Sequence, residues 1–328
     1  MILVAFGSES GEEKISFASA KFVESQLNEL NIKDFTLAQL SYQNFVDVIE
    51  KHNPKCVFNA MHGSFGEDGE VQKLLNFYKI PYTHSHEVAS FLGIRKSITK
   101  SILSKKGINF AKGITFSLQE LLDISFIKKI EEEIESKKIQ GSRFVIKPEG
   151  MGSSLHLFEL NLNDKASALT EVEAIKKNLC SKQLQLFIAE EMIIGKEFDV
   201  VVFDALDGDP IVDVAEIKCG SGSLYTYDTK YHLSKSVVDF KPKISKKLKE
   251  KLCEYGLQMH KELGCKDVSR SEFIVREQGD DFEIFALEIN THPGLRDVSC
   301  AVNIPKLHGV SPKHFIKNML NRASYTKI

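Results

Sequence analysis

No cysteine pair with the spacing of a redox or zinc motif occurs in this sequence: Cys56, Cys180, Cys219, Cys253, Cys265 and Cys300 are scattered singly. Thiols in that arrangement read as reduced and mostly structural, which points to the cytoplasm. Long apolar runs are missing too. None approaches the roughly 18 to 20 residues that span a bilayer, and the start M-I-L-V-A-F-G lacks the basic head and longer apolar region of a signal peptide. There is no excess of charge. A formal net charge of −2 over 328 residues argues against a general nucleic-acid or anionic-membrane partner. Repeats and low-complexity stretches are absent, and the first glycine-rich segment, Gly7 to Ser16, matches neither G-x-G-x-x-G nor the Walker A pattern.

What is present is ordinary globular composition, 42% apolar and 27% charged, in a chain long enough for two or three domains. Ile2 to Phe6 and Cys56 to Met61 are continuous apolar runs that feed loops, the pattern of buried parallel strands. The second opens into H-G-S-F-G-E-D-G (His62 to Gly69), which puts His62 where open α/β sheets bind ligands, unless it is a surface residue. Val71 to Phe77 has helical spacing and Ile80 to Thr83 reads as a short strand, closing a first β/α unit near Ile94. Lys96 to Lys106 is a helix whose Lys96, Lys100, Lys105 and Lys106 read as a solvated face. Phe110 to Ile139 reads as a polar helical connection.

Arg143 to Leu155, R-F-V-I-K-P-E-G-M-G-S-S-L, delivers Lys147 at the end of a strand, ahead of a loop of glycine and serine. Such a loop folds backbone N–H groups and hydroxyls over phosphates, with the lysine as counter-charge, or is a plain hairpin. Leu186 to Glu191 and Phe198 to Phe203 are strands joined by Met192 to Glu197, a connector that seats a flat heterocycle or simply turns. Gly220 to Ser236 looks like a mobile loop with aromatic anchors. Lys246 to Leu263 is an amphipathic helix, and Ser311-Pro312 starts another.

The most informative stretch is Arg270 to Gly294. Ser271 to Arg276 and Phe282 to Asn290 flank Gln278-Gly279-Asp280-Asp281, the composition of a β-hairpin. Pairing centred on Asp280 sets Ile274 against Ala286, Glu272 against Glu288 and Arg270 against Asn290, all on one side of the ribbon. Opposed carboxylates call for a cation between them, Mg²⁺ being suited to two carboxylates plus phosphates; a slipped register would leave both acids in solvent.

In order along the chain, G-S-E-S-G-E-E-K-I-S, H-G-S-F-G-E-D-G, V-I-K-P-E-G-M-G-S-S, E-E-M-I-I-G-K-E-F, Y-D-T-K-Y, R-S-E-F and L-E-I-N-T-H-P-G-L resemble the D-alanine–D-alanine ligases of the ATP-grasp superfamily. The resemblance implies a mixed α/β and α+β fold of three domains, 1–95, 96–185 and 186–328, the first a β/α domain and the other two gripping ATP. It implies phosphorylation of one D-alanine by ATP and attack by the amine of a second, giving a dipeptide for peptidoglycan precursors. Two Mg²⁺, or Mn²⁺, would sit on Glu272, Glu288 and Asn290. Lys96 and Lys147 resemble the lysines on the α- and β-phosphates, Lys230 the one that reaches the γ-phosphate, and Ser154 part of the lid. Glu190, Glu191, Ile193 and Glu197 resemble the adenosine pocket. Glu12 and His62 resemble the first-substrate residues, Arg270 and the Gly294 N–H the oxyanion site, and Ser299 the second-substrate hydroxyl. Tyr231 with Ser153 and Glu12 resembles the trio that closes the loop. A cytoplasmic homodimer with no nucleic-acid or membrane partner is implied as well.

The sequence departs from the family's usual run at four places. Ile94-Arg95 stands where Met-Asp is usual, Met151 where Glu is, Glu272 where Asp is commoner, and Leu295 to Cys300 replaces a run resembling Met-Thr-x-His-Ser-Leu. The last borders the second-substrate site and bears on acceptor choice.

Overall fold

A computed structural model describes residues 1–123, 125–139, 141–151, 157–178, 186–219, 236–279 and 281–326. Ser153, Ser154, Lys230 and Tyr231, and most of the expected loop at 220–236, lie outside the described residues. Three sheets carry the fold. Strands β1 (Ile2–Phe6), β2 (Phe35–Gln39) and β3 (Cys56–Asn59) are parallel in the order β2-β1-β3. Their apolar residues divide between two faces by strand alternation. Leu3, Ala5 and Val57 pack toward α2 (Phe45–His52) and α3 (Glu70–Phe77). Val4 and Phe58 pack against Ala20, Val23 and Leu27 of α1 (Glu13–Glu29).

Three strands make a small sheet, and a distant segment extends this one. Tyr82 bridges Val57 in parallel and Ser324 in antiparallel fashion, so the expected strand at Ile80 to Thr83 is reduced to a one-residue link. Tyr82 and Ser324 exchange both backbone hydrogen bonds, at 3.1 and 3.2 Å. After α4 (Glu87–Ile94) and α5 (Lys96–Ser104), strand β4 (Gly113–Ser117) interrupts the stretch expected to be helical. Ile114 and Phe116 alternate inward there, a period-two pattern too short to stand out beside the charged helices α6 (Leu118–Leu122) and α7 (Phe126–Ser136).

The second sheet, all antiparallel, runs β4-β7-β5-β6, with β5 (Arg143–Pro148), β6 (Phe158–Asn161) and β7 (Leu186–Glu191). Helix α8 (Lys165–Asn178) lies beside β6. Because β7 is hydrogen-bonded to β4 on one side and β5 on the other, the second sheet ends at Glu191 and the third begins at Lys196.

The third sheet is antiparallel in the order β10-β9-β8-β11-β12, from β8 (Lys196–Phe203), β9 (Ile211–Cys219), β10 (Ser236–Asp239), β11 (Val268–Gln278) and β12 (Asp281–Asn290). Helix α9 (Lys246–Glu262) covers Phe198, Val200, Phe273 and Val275 on one face with Leu248, Leu252 and Met259. On the other face Val201, Phe203 and Val268 share a core with α10 (Cys300–Leu307), α11 (Pro312–Asn321) and α1. The first and third sheets are thus joined by one hydrophobic core. Among the described residues no helix is long and apolar enough to cross a membrane. Burial pushes the thiols of Cys56 and Cys253 up to about 11 and that of Cys265 to about 12, which leaves them unreactive and structural.

The hairpin has the expected partners at its functional end, reached by a different route. Arg270 opposes Asn290 and Glu272 opposes Glu288, but Ala286 faces Phe273 and Ile274 faces Phe285. The pairing closes at Gln278 and Asp281, with Gly279 at φ +65°, half a residue from the expected centre. A β-bulge between Glu272 and Phe273 leaves Leu287 as the extra residue and restores the opposition of the two acids.

The ion pairs of Arg322 fasten α11. Its Nη2 lies 2.9 Å from Asp204 Oδ2 and its Nε 3.0 Å from Asp267 Oδ1, while the other oxygen of fully buried Asp267 accepts from the His84 N–H at 2.8 Å. Arg322→Met removes one cation from buried Asp267, leaving it Lys266, 3.6 Å away, and the His84 N–H, and is expected to lower stability by about 3 kcal/mol, read by denaturant unfolding. Gly256, on α9, packs so closely that a Cβ would overlap Val200 Cγ1. Gly256→Ala is expected to cost about 1–3 kcal/mol by overpacking; an unchanged unfolding midpoint would contradict this contact.

Candidate active site

Helix α5 and strands β5, β7 and β12 bring a set of charges together. Glu190, near the end of β7, is buried, with Oε2 2.8 Å from Lys147 Nζ and Oε1 2.9 Å from Lys100 Nζ. Burial alone would raise its carboxyl, but the two ammoniums prevail and hold it below the usual carboxylate range. Burial opposes the charge of Lys147 in turn. Glu190, then Glu288 and Glu272, outweigh that and raise it above the ordinary lysine value. Lys96 opens α5 with its Nζ donating to Met151 O at 2.6 Å and 3.3 Å from Glu288 Oε2. Lys96 and Lys100 are one turn apart and share this face. The row expected to be solvated therefore contributes two cations to the interior.

Arg270 is held between two acids. Its Nη2 donates to Glu272 Oε1 and its Nε lies 3.4 Å from Asp199 Oδ2. Against the effect of burial, Asp199 and Glu272 raise its pKa well above the ordinary guanidinium value. A pocket lined by Glu67, Gly93, Ile94, Lys96, Met151, Glu288, Ile289, Asn290 and Thr291 lies at this junction.

The two N-terminal loops form the adjoining wall. Buried Glu12 accepts from Ser10 Oγ at 3.1 Å, and Ser10 Oγ accepts from the Ser64 N–H at 3.1 Å. Gly63, at φ +68°, is required here: a Cβ would overlap both the Ser10 hydroxyl and the Glu12 carboxylate. His62 is buried, its Nδ1 2.7 Å from Glu67 Oε1 and its Nε2 2.9 Å from Ser19 Oγ.

Beyond β12 the chain turns through Thr291 to Ser299. Asn290 Oδ1 accepts from the His292 N–H at 2.7 Å, the Leu295 N–H donates to Ser19 Oγ at 3.2 Å, and Ser299 precedes α10. The Ser299 hydroxyl accepts from the Arg296 N–H at 2.6 Å and donates to Arg296 O at 2.7 Å. Gly294 thus sits one residue from an amide anchored to α1. Along the connector between β7 and β8, Ile193 is buried with Ala111 and Phe285, and Glu197 opposes Ile274 at the start of β8. Glu191 follows Glu190, its side chain turned to the other face by strand alternation, where it accepts from the Lys112 N–H at 3.1 Å.

The donor set suits a hard divalent cation. Glu272 and Glu288 are direct cross-strand partners and Asn290 is two residues further on, all oxygen donors. Their negative charge reaches Lys147 and Arg270 alike. Among the described residues no group of three or more His, Cys, Asp or Glu could hold a metal. Two carboxylates and an amide leave ligand positions to phosphate and water, the manner in which Mg²⁺ is usually bound.

The structure therefore gathers Lys96, Lys147, Glu190, Glu272, Glu288 and Asn290 at one junction, with Arg270 beside them and Glu12 and His62 on the neighbouring wall. Sequence reasoning missed Lys100, Asp199, Glu67 and Ser19. Spacing of four from Lys96 could have found Lys100, and the acid five residues after His62 could have found Glu67; Asp199 and Ser19 carry no local signal.

Family models described as D-ala D-ala ligase N-terminus and D-ala D-ala ligase C-terminus match residues 36–85 and 102–321. The D-alanine–D-alanine ligase of Pelagibacter ubique (strain HTCC1062) is 31% identical over 99% of this chain and 99% of its own length. D-alanyl-alanine synthetase A from Vibrio cholerae superposes with a TM-score of 0.80 at 20% identity, covering 98% of each chain. D-alanine–D-alanine ligase from Bacillus anthracis complexed with ATP gives 0.76 at 22% identity, covering 98% of this chain and 95% of that one. With its three sheets in the ATP-grasp arrangement and a C-terminal family match over most of its length, this chain belongs to the D-alanine–D-alanine ligase family.

Proposed function

We propose that this chain joins two D-alanines with ATP through an acyl phosphate, making the dipeptide of peptidoglycan precursors as a homodimer in the cytoplasm. The observation that carries the reading is the junction of Lys96, Lys147, Glu190, Glu272, Glu288 and Asn290 beside the Glu12–His62 wall. Its cations suit a polyphosphate, and its carboxylates suit the metal that accompanies one. Three domains follow the three sheets.

Lys96 and Lys147 neutralise the α- and β-phosphates, while Glu190, Ile193 and Glu197 with the β7–β8 connector take the adenosine. Lys147 leaves its ion pair with Glu190 for phosphate, and Lys100 keeps that buried carboxylate compensated. When bound to Glu272, Glu288 and Asn290, Mg²⁺ supplies charge neutralisation at the terminal phosphates. Glu12 holds the ammonium of the first D-alanine. A carboxylate oxygen of that D-alanine attacks the γ-phosphorus and ADP departs. The free amine of the second D-alanine then attacks the acyl carbon, the bond from that carbon to the bridging oxygen breaks, and inorganic phosphate departs with the P–O–C oxygen and one proton from the amine. Arg270 and the Gly294 N–H face the oxyanion, where aimed donors are worth several kcal/mol. Ser299 holds the second carboxylate. For Ser153, Ser154, Lys230 and Tyr231 the roles rest on motif resemblance: lid, γ-phosphate lysine and closing tyrosine. Positioning and charge neutralisation are most of what phosphoryl transfer asks of a protein.

A different acceptor amino acid is the second reading, favoured by the replacement at Leu295 to Cys300. The Ser299 hydroxyl already bonds the Arg296 backbone on both sides.

With ATP, Mg²⁺ and D-alanine the protein is expected to release phosphate and D-alanyl-D-alanine; release only with another amine selects the second reading, and no release with any amino acid rejects both. Glu288→Gln is expected to lower Mg²⁺-dependent turnover by at least about a hundredfold with an unchanged circular dichroism spectrum. Wild-type rates in that variant would remove the acid from the metal set.

A further inference from the structure

Ser19 has no part in the roles assigned above, yet its hydroxyl touches two of the segments that carry them. It lies within α1, fully buried, with Oγ 2.9 Å from His62 Nε2 and accepting from the Leu295 N–H at 3.2 Å. The Glu67 carboxylate, 2.7 Å from the other ring nitrogen, can only accept when ionised, which assigns the proton of the neutral imidazole to Nδ1. Nε2 is then an acceptor and the Ser19 O–H its donor. Both nitrogens are occupied, so the neutral His62 ring has no N–H to offer a substrate carboxylate.

We infer that Ser19 is a positioning residue of the amino-acid pocket: its one hydroxyl fixes the His62 ring and the Gly294–Leu295 turn together. The inference rests on the ligase reading for what the pocket holds, an α-amino acid, though not for the coupling itself. Its logic is geometric. Three segments distant in sequence, α1, the His62 loop and the turn after β12, meet at one oxygen whose donor and acceptor capacity is matched to both neighbours. A change at that oxygen moves the wall beside Glu12 and the Gly294 amide at once. Ser16, one turn earlier on α1 and equally buried, supplies the contrast: its Oγ accepts from the Gly7 N–H at 2.8 Å and donates to Ala60 O at 2.8 Å, two bonds that do not involve His62.

The test combines histidine-ring ¹⁵N spectra, with the His62 signals identified through His62→Gln, and steady-state kinetics. The spectra are taken where the ring is neutral, since Glu67 faces it directly and His84 and His292 lie within its electrostatic reach. Ser19→Ala is expected to move the His62 Nε2 signal toward that of an unbonded acceptor. It should also raise the KM for D-alanine roughly tenfold while the KM for ATP stays within about twofold. Ser16→Ala is expected to lower thermal stability and leave the His62 signals in place. A folded Ser19→Ala protein with an unmoved Nε2 signal, or with both KM values rising together, overturns the inference. Should Ser19→Ala not fold, Ser19→Cys keeps the volume with a weaker donor, and its Nε2 signal must move in the same direction. If wild-type protein does not turn over D-alanine while the ring signal responds to Ser19, the ligase reading fails and the coupling stands.

Discussion

Two like charges placed face to face across a pair of strands set the terms for everything around them. Glu272 and Glu288 are direct partners in the third sheet, an arrangement that is unfavourable until cations approach. Arg270 supplies one from the same strand and Lys96 another from α5. Glu190 repeats the theme with Lys147 and Lys100. Each cation suited to a phosphate is thus already paired with an acid suited to a metal or a nucleoside. On the proposed function, entry of a polyanion with its metal would exchange one set of partners for another.

The same constraint explains why part of the site could be read from the sequence. The hairpin was legible because β-rich runs flank a glycine turn, and the facing pairs Glu272–Glu288 and Arg270–Asn290 follow from counting outward. The count was right there only because the half-residue displacement of the turn and the extra residue at Leu287 cancel; no local feature announces a bulge. Lys100 was read with a solvated row for a physical reason, whereas Lys96 was picked out by its resemblance. Lysines at helical spacing usually face water, and only the acids of β7 and β12, far away in sequence, draw Lys96 and Lys100 inward. Strand β4 was lost between charged helices, and the pairing of β7 with β4 and β5 was not legible because strand pairing across long separations leaves no mark on composition.

Two departures from the family's usual residues, Ile94-Arg95 and Met151, border one pocket, which Ile94 and Met151 line. Arg95 brings Nη1 within 4.0 Å of Glu149 Oε2, and the other oxygen of that buried carboxylate accepts from the Ser97 hydroxyl at 2.6 Å and the Ser97 N–H at 3.3 Å. Glu149 thereby stands at the N-terminus of α5, where a negative charge favours the helix dipole, and ties that end to the start of the glycine-rich loop. Met151 contributes through its backbone, since the carbonyl is what Lys96 contacts. Conversely, the replaced run after Leu295 engages Ser299 through the Arg296 main chain, so this hydrogen bonding does not depend on which side chain residue 296 carries.

The link between Tyr82 and Ser324 has a bearing on how such a chain comes into being on the ribosome. Strands β1 to β3 emerge early, yet the backbone groups of Tyr82 find their partners only when the segment after α11 has been made. The Val4–Phe58 face of that sheet likewise waits for Phe315, Ile316 and Met319 to complete its core. Synthesis of the N-terminal unit is therefore not its completion: it stays open along one edge and one face until α11 and the segment after it have been made.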